Sequence, residues 1–124
     1  MSTLLTSSEV TFHSGETVSI PITVLDDDDV AVELAGATIK FAIVRKIGDA
    51  SVISTEASPM TATSAITSNG ASPEVNNIVT ISISATNTEP LIGVYHFECR
   101  AIDGASNEAV IAYGSINFKQ NQIT

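Results

Sequence analysis

Alternation of apolar and polar residues with a period of two is the feature that most constrains this chain. From Val18 to Val24 every second residue is apolar, and Ser19, Pro21 and Thr23 lie between them. Because successive side chains of a strand point to opposite faces, this period predicts a strand with one buried face. The same alternation recurs in residues 39–43, 79–83, 95–101 and 110–118. The chain is therefore predicted to be all-β, with Val18, Ile20, Ile22, Phe41, Ile81 and Phe97 in one core.

Turn-forming pairs separate the apolar runs. These pairs are Ser14-Gly15, Gly48-Asp49, Asn69-Gly70 and Asp103-Gly104. Short strands at this spacing are typical of a sandwich or a barrel. We expect shorter strands before Ser14 and over residues 51–55. Since proline cannot donate to a ladder, Pro21 is expected at a sheet edge, at a bulge, or beyond the end of the neighbouring strand.

Residues 56–77 leave two alternatives open. The segment is rich in Ala, Ser, Thr and Pro and contains Asn69-Gly70 near its middle. It fits a long hairpin of weak strands, and it fits equally an exposed loop.

The charge balance excludes several classes of partner. Asp and Glu number 14 against 5 Lys and Arg, for a net charge of -9. Such a field repels nucleic-acid phosphates and anionic membranes, so neither is expected as a partner, while a basic protein surface is compatible. A single cysteine rules out an intrachain disulfide. No apolar run approaches the roughly 20 residues that span a bilayer.

The sequence Leu91-Ile-Gly93-Val-Tyr95 matches the tyrosine corner of Greek-key sandwiches. In that motif the tyrosine hydroxyl bonds to backbone a few residues upstream, which here is the 85–91 region. We therefore predict an immunoglobulin-like Greek-key β-sandwich of about seven strands over residues 9–118. Residues 1–8 are expected to form an N-terminal arm and residues 119–124 a C-terminal tail.

The order of segments also resembles a known family. A glycine-led strand from Gly15 precedes the acidic turn Asp26-Asp27-Asp28-Asp29, and the segment 32–41 reads VELAGATIKF. This order is similar to the immunoglobulin-like domain of tailed-bacteriophage virion proteins, in particular the N-terminal domain of siphophage baseplate upper proteins. The resemblance spans roughly residues 15–118. It implies a structural role without active-site residues, a place in the virion assembled in the host cytoplasm, and other virion proteins as partners in an oligomeric assembly.

One departure from that family sharpens the expectation. Baseplate upper proteins continue into a fibre stem, whereas this sequence ends six residues after Phe118. We therefore expect a capsid decoration protein or an accessory subunit of the tail or fibre. The alternative is a carbohydrate- or receptor-binding β-sandwich module, which predicts a groove with exposed aromatic residues. Of the aromatic residues, only Tyr113 is sent outward by the strand alternation.

The side chains that could carry chemistry in this sequence also have plain structural roles. Carboxylates at Asp26, Asp27, Asp28 and Asp29 offer oxygens to Ca²⁺, but the EF-hand spacing is missing and a solvated turn is favoured. His96 and Cys99 are three apart on one strand, so they face opposite sides. The sequence offers no set of nucleophile, base and orienting group that could act together. We therefore expect that the chain is not an enzyme and that it needs no cofactor or metal.

Two pairs of residues are candidate interface positions. Leu4 and Leu5 lie in the uncharged N-terminal arm, where they can anchor it in an apolar pocket of a neighbour. Arg45 and Lys46 form the only adjacent basic pair of an otherwise acidic chain.

Overall fold

The computed structural model describes the backbone of residues 6–55 and 60–120. Within these ranges the chain forms nine strands and one short helix. In chain order they are β1 (Thr6–His13), β2 (Val18–Thr23), β3 (Thr38–Val44), β4 (Ser51–Ser54), β5 (Met60–Thr61), β6 (Thr63–Thr67), β7 (Ile78–Ile83), α1 (Ala85–Thr88), β8 (Gly93–Ile102) and β9 (Glu108–Lys119). The prediction of an all-β chain is confirmed.

The strands form two sheets. One sheet has six strands in the order β1-β9-β8-β3-β4-β5, and the other has three in the order β2-β7-β6. Neighbours are antiparallel except for β1 with β9 and β4 with β5, which are parallel. Antiparallel strands with one buried face account for the alternating pattern of the sequence.

Both sheets contribute to a single apolar core. All six predicted core residues are buried in it: Val18, Ile20, Ile22, Phe41, Ile81 and Phe97. The rings of Phe41 and Phe97 lie 6.0 Å apart, within the range of favourable aromatic pairs. This core joins the sheets without help from a disulfide, since the one cysteine is free.

The number and limits of the strands differ from the prediction. The described residues hold nine strands rather than about seven, because the weakly polar 56–77 segment contains two short ones, β5 and β6. Ala62 between them is buried, so the chain passes from one sheet to the other over the core. β6 then pairs with β7, which lies beyond the segment, so residues 56–77 supply one strand of a hairpin and residues 68–77 form its loop. At the N-terminus β1 begins at Thr6, so residues 6–8 lie in the sheet rather than in the predicted arm.

A β-bulge breaks the alternation that the sequence suggested for β9. The pairing with β8 shifts between Cys99 and Arg100, and Ile111 and Ala112 are consequently both buried. Val110, which was expected on the core face, is only half-buried. One extra residue in a strand turns every residue beyond it to the other face, and a bulge has no period of its own to reveal it.

Candidate interaction surface at the Arg45 end

Charge is distributed unevenly between the two ends of the sandwich. The acidic end consists of segments 24–37, 68–77 and 103–108. These segments contain eight of the 14 Asp and Glu residues of the chain and no Lys or Arg. The opposite end, here called the Arg45 end, consists of segments 14–17, 45–50, 84–92 and Lys119. It carries three basic residues against three acidic ones. The molecule is therefore a strong electric dipole along its strands.

Arg45 follows the last residue of β3 and lies across the start of β8. Its Nη1 donates to the carbonyl of Ile92 at 2.8 Å, and its guanidinium lies 4.7 Å from the centroid of the Tyr95 ring. That distance fits a cation–π contact. Gly93 beneath it has φ of 99°, and a Cβ there would come within 3.1 Å of Nη1. A glycine at this position thus meets both a backbone requirement and a space requirement.

Two buried hydroxyl groups hold the segment that precedes β8. Ser14 Oγ donates to the carbonyl of Leu91 and, at 3.2 Å, to that of Lys119. Thr88 Oγ1 donates to the carbonyl of Glu16 at 2.7 Å. These bonds tie segment 84–92 to segment 14–17. The sequence showed Ser14 only as part of a turn, and no pattern singled out Thr88.

The tyrosine-corner residues lie together but act differently from the expectation. Tyr95 is buried, and its ring packs edge-on against Phe118 at 5.8 Å. Within the described residues, no hydrogen bond joins the Tyr95 hydroxyl to the 85–91 backbone. The Leu91 carbonyl instead accepts the hydroxyl of Ser14. The corner is thus held from the neighbouring segment rather than by its tyrosine.

Exposed apolar side chains gather at the same end. Ile47 is 83% exposed, Val94 52% and Ile92 48%, and they are three of the five exposed large hydrophobic residues of the described chain. Ile47 directly follows the predicted pair Arg45-Lys46, and Ile92 supplies the carbonyl that Arg45 holds. Apolar side chains beside positive charge are suited to a protein contact. Arg45 and Lys46, predicted as interface positions, thus lie within a larger surface that the sequence alone did not predict. The other predicted pair, Leu4 and Leu5, lies outside the described residues.

At the acidic end, two loops share one geometry. Asp26 Oδ1 accepts the amides of residues 28 and 30 at 2.9 and 3.0 Å, and the amide of Asp26 donates to the carbonyl of Val30. Asp103 Oδ1 likewise accepts the amides of residues 105 and 107 at 2.9 and 3.0 Å. The fourth residue has positive φ in both loops, 62° at Asp29 and 66° at Ser106. The first carboxylate of each loop is therefore a loop-forming group.

Hydrogen bonds of the same kind tune two carboxyl groups there. The Asn107 amide is the largest cause that lowers the pKa of Asp103. The Ala35 amide, followed by groups of Asn76, lowers the pKa of Glu33. A carboxylate that accepts amide hydrogens is favoured in its charged form. Both carboxyl groups therefore remain ionised at a lower pH than ordinary Asp and Glu side chains do.

The four carboxylates of the acidic run differ in exposure and in role. Asp27, Asp28 and Asp29 are exposed, while Asp26 directs an oxygen at its own loop amides. Among the described residues, no three His, Cys, Asp or Glu side chains are grouped so as to hold a metal ion. For these four residues the solvated turn stays the prediction.

His96 and Cys99 face opposite sides of β8, as the spacing predicted. Cys99 is fully buried and His96 is partly exposed on the outer face. Burial, with a smaller effect of the Glu98 charge, raises the pKa of the Cys99 thiol to about 12. A thiol with that pKa is protonated at neutral pH and is a poor nucleophile.

The comparisons with known proteins bring no family to this site. No protein-family model matches the chain, and no curated protein matches it. Within the described ranges, no helix has the length and apolar character needed to cross a membrane.

Proposed function

We propose that this protein is a non-enzymatic virion structural protein of a tailed phage. It docks on the particle through its Arg45 end, as a capsid decoration protein or as an accessory subunit of the tail or fibre. The observation that carries the proposal is that Ile47, Ile92 and Val94, all exposed, lie at the same end of the sandwich as Arg45 and Lys46. Apolar side chains of this size are stabilised by about 1.5–3 kcal/mol each on burial, so a covering partner gains from them.

The strand order supports the immunoglobulin-like part of the proposal. In such sandwiches the third, sixth and seventh strands of the framework form one sheet, and variable-type domains extend it by further strands. Here β3, β8 and β9 are neighbours in the larger sheet, which β4 and β5 extend, while β2, β7 and β6 form the smaller sheet. This arrangement agrees with the resemblance to phage virion domains.

The charge dipole supports one orientation of docking. Near a surface that carries carboxylates, the field favours the Arg45 end facing the surface and the acidic end facing solvent. The partner we propose therefore offers an apolar hollow with Asp or Glu placed opposite Arg45 and Lys46.

Co-sedimentation with phage particles that lack the chain tests the proposal. Ile47→Asp places a carboxylate in the proposed contact and should weaken binding by at least about tenfold, the equivalent of one lost buried side chain. Val30→Asp is the matched control, because Val30 is 57% exposed at the acidic end. Equal binding of the two variants contradicts docking through the Arg45 end. Binding to host cells or glycans instead of particles favours the carbohydrate- or receptor-binding alternative.

A further inference from the structure

The smaller sheet ends in an unusual edge strand, β6. β6 spans five residues, Thr63–Thr67, and pairs only with β7 within the described chain. Its side chains are exposed except for Ile66, which packs against the core. An edge strand presents unpaired backbone donors and acceptors, and proteins usually protect such an edge.

The pairing fixes which residues of β6 present these groups. The amide of Val24 donates to the carbonyl of Asn77 at 2.9 Å, so residue 77 directs its backbone groups toward β2. Backbone groups alternate in direction along a strand, so residues 79, 81 and 83 also face β2, while Ile78, Thr80 and Ser82 face β6.

On β6, the residues opposite this second set are Thr63, Ala65 and Thr67, which therefore bond to β7. Ser64 and Ile66 direct their amide and carbonyl groups away from the sheet. The free edge of β6 thus offers two donors and two acceptors, all in one line.

The other edge of the same sheet is protected at the equivalent place. Pro21 lies opposite Thr80, whose backbone groups face β6, so this pair is not hydrogen-bonded. The backbone nitrogen of Pro21, which carries no hydrogen, therefore faces the free side of β2. Proline at an outward position removes a donor from an edge without weakening the ladder within the sheet. β6 has neither a proline nor a charged residue.

The sequence on either side of β6 is also free of charge. Residues 57–73 contain no Asp, Glu, Lys or Arg, an uncharged stretch in a chain of net charge -9. Lysine or another charge on an edge strand is a common protection against pairing. A second copy of this chain, which is equally acidic, therefore meets little repulsion from these residues.

We propose that two copies of the chain pair through β6, antiparallel and about a two-fold axis at Ala65. Ser64 of one copy then faces Ile66 of the other, and their outward groups form four backbone hydrogen bonds. Ala65 faces Ala65 in the pair without hydrogen bonds, where the two backbones approach most closely, about 4.5 Å between Cα atoms. Its methyl side chain suits that close approach, and Thr63 faces Thr67 on the same side of the sheet, a favourable cross-strand pair.

The antiparallel orientation also suits the charge dipole. β6 runs from the Arg45 end toward the acidic end, since Thr67 pairs with Ile78 beside the acidic segments. Antiparallel pairing places the acidic end of one copy beside the Arg45 end of the other and separates the two acidic ends. The two Arg45 ends then point in opposite directions, so only one copy of a pair can dock on a given surface. Repulsion between the net charges is screened by salt, so the dimer should tighten as salt is raised.

Sedimentation equilibrium over a concentration series tests the pairing. The wild-type mass should rise from 12.9 kDa toward twice that value. Ser64→Pro copies the device of Pro21 and removes one outward donor from each copy, which should raise the dissociation constant by at least about tenfold. Ala65→Lys, which places two ammonium groups at the two-fold axis, should abolish the dimer. This variant tests the same pairing if Ser64→Pro does not fold.

Ser19→Lys is the matched control, since it adds the same charge to the protected edge strand β2 and should leave the dimer unchanged. Amide exchange gives a second readout. Ser64 and Ile66 should gain protection with concentration, whereas Thr63, Ala65 and Thr67 should be protected throughout. A wild-type chain that stays monomeric up to about 1 mM, or an Ala65→Lys chain that pairs as wild type does, overturns the proposal. So does protection of the β6 edge only on addition of another virion protein.

Discussion

Ser14→Ala probes the bonds that hold the start of β8. Ser14 is 6% exposed, and its hydroxyl donates to the carbonyls of Leu91 and Lys119. The Lys119 carbonyl also accepts the amide of Ser14 at 2.8 Å, so it keeps a partner when the hydroxyl is removed. The Leu91 carbonyl loses the hydroxyl. One buried acceptor left without a partner costs about 1–3 kcal/mol.

For a domain of this size, that loss lowers the melting temperature by about 4–12 °C. Chemical denaturation should show a lower midpoint with an unchanged slope, because the surface exposed on unfolding stays the same. Ser19→Ala is the control, since Ser19 is exposed on β2 and its loss should stay within about 0.5 kcal/mol. If Ser14→Ala unfolds at the wild-type midpoint, the assignment of Ser14 as the group that holds this segment is wrong.

Further outcomes are expected at three residues. Asp103→Asn should preserve its loop, as Asn69 Oδ1 accepts loop amides elsewhere, whereas Asp103→Ala should unfold more easily. Because the pKa of Asp103 is lower in the folded state, its ionised side chain stabilises the fold above the unfolded pKa, and this stabilisation is lost as pH falls through the folded pKa. The free energy of unfolding of Asp103→Ala, measured by denaturation across the acid range, should therefore depend less on pH than that of the wild type. Gly93→Ala should destabilise by about 1–3 kcal/mol in urea titration, because φ is 99° there. Cys99 should react with a thiol reagent at pH 8 only after unfolding, and fast labelling of the native chain would contradict its burial.

The core could be predicted from the sequence because strand alternation is a local signal. Val18, Ile20 and Ile22 are buried in β2 as the period of two indicated, and Pro21 lies on an edge. The bulge at Ile111 could not be predicted, because an inserted residue leaves no mark in composition. The same holds for β5, a two-residue strand in a segment with little apolar content.

The surface could be predicted only in part. The pair Arg45-Lys46 stood out as basic residues in an acidic chain, but its contact with Tyr95 joins residues 50 positions apart in the chain. Long-range contacts of this kind depend on the register of β3 with β8, which the sequence does not specify. The twin loops at Asp26 and Asp103 had a signal in retrospect: an aspartate at the first position and a small or acidic residue at the fourth, where φ is positive.

Amide hydrogen exchange of the particle-bound chain tests the docking proposal most directly. Our account predicts that binding protects residues 45–47 and 92–94, while the acidic loops 26–30 and 103–107 exchange as they do in the free protein. Protection of the acidic loops with no change at the Arg45 end would contradict the account.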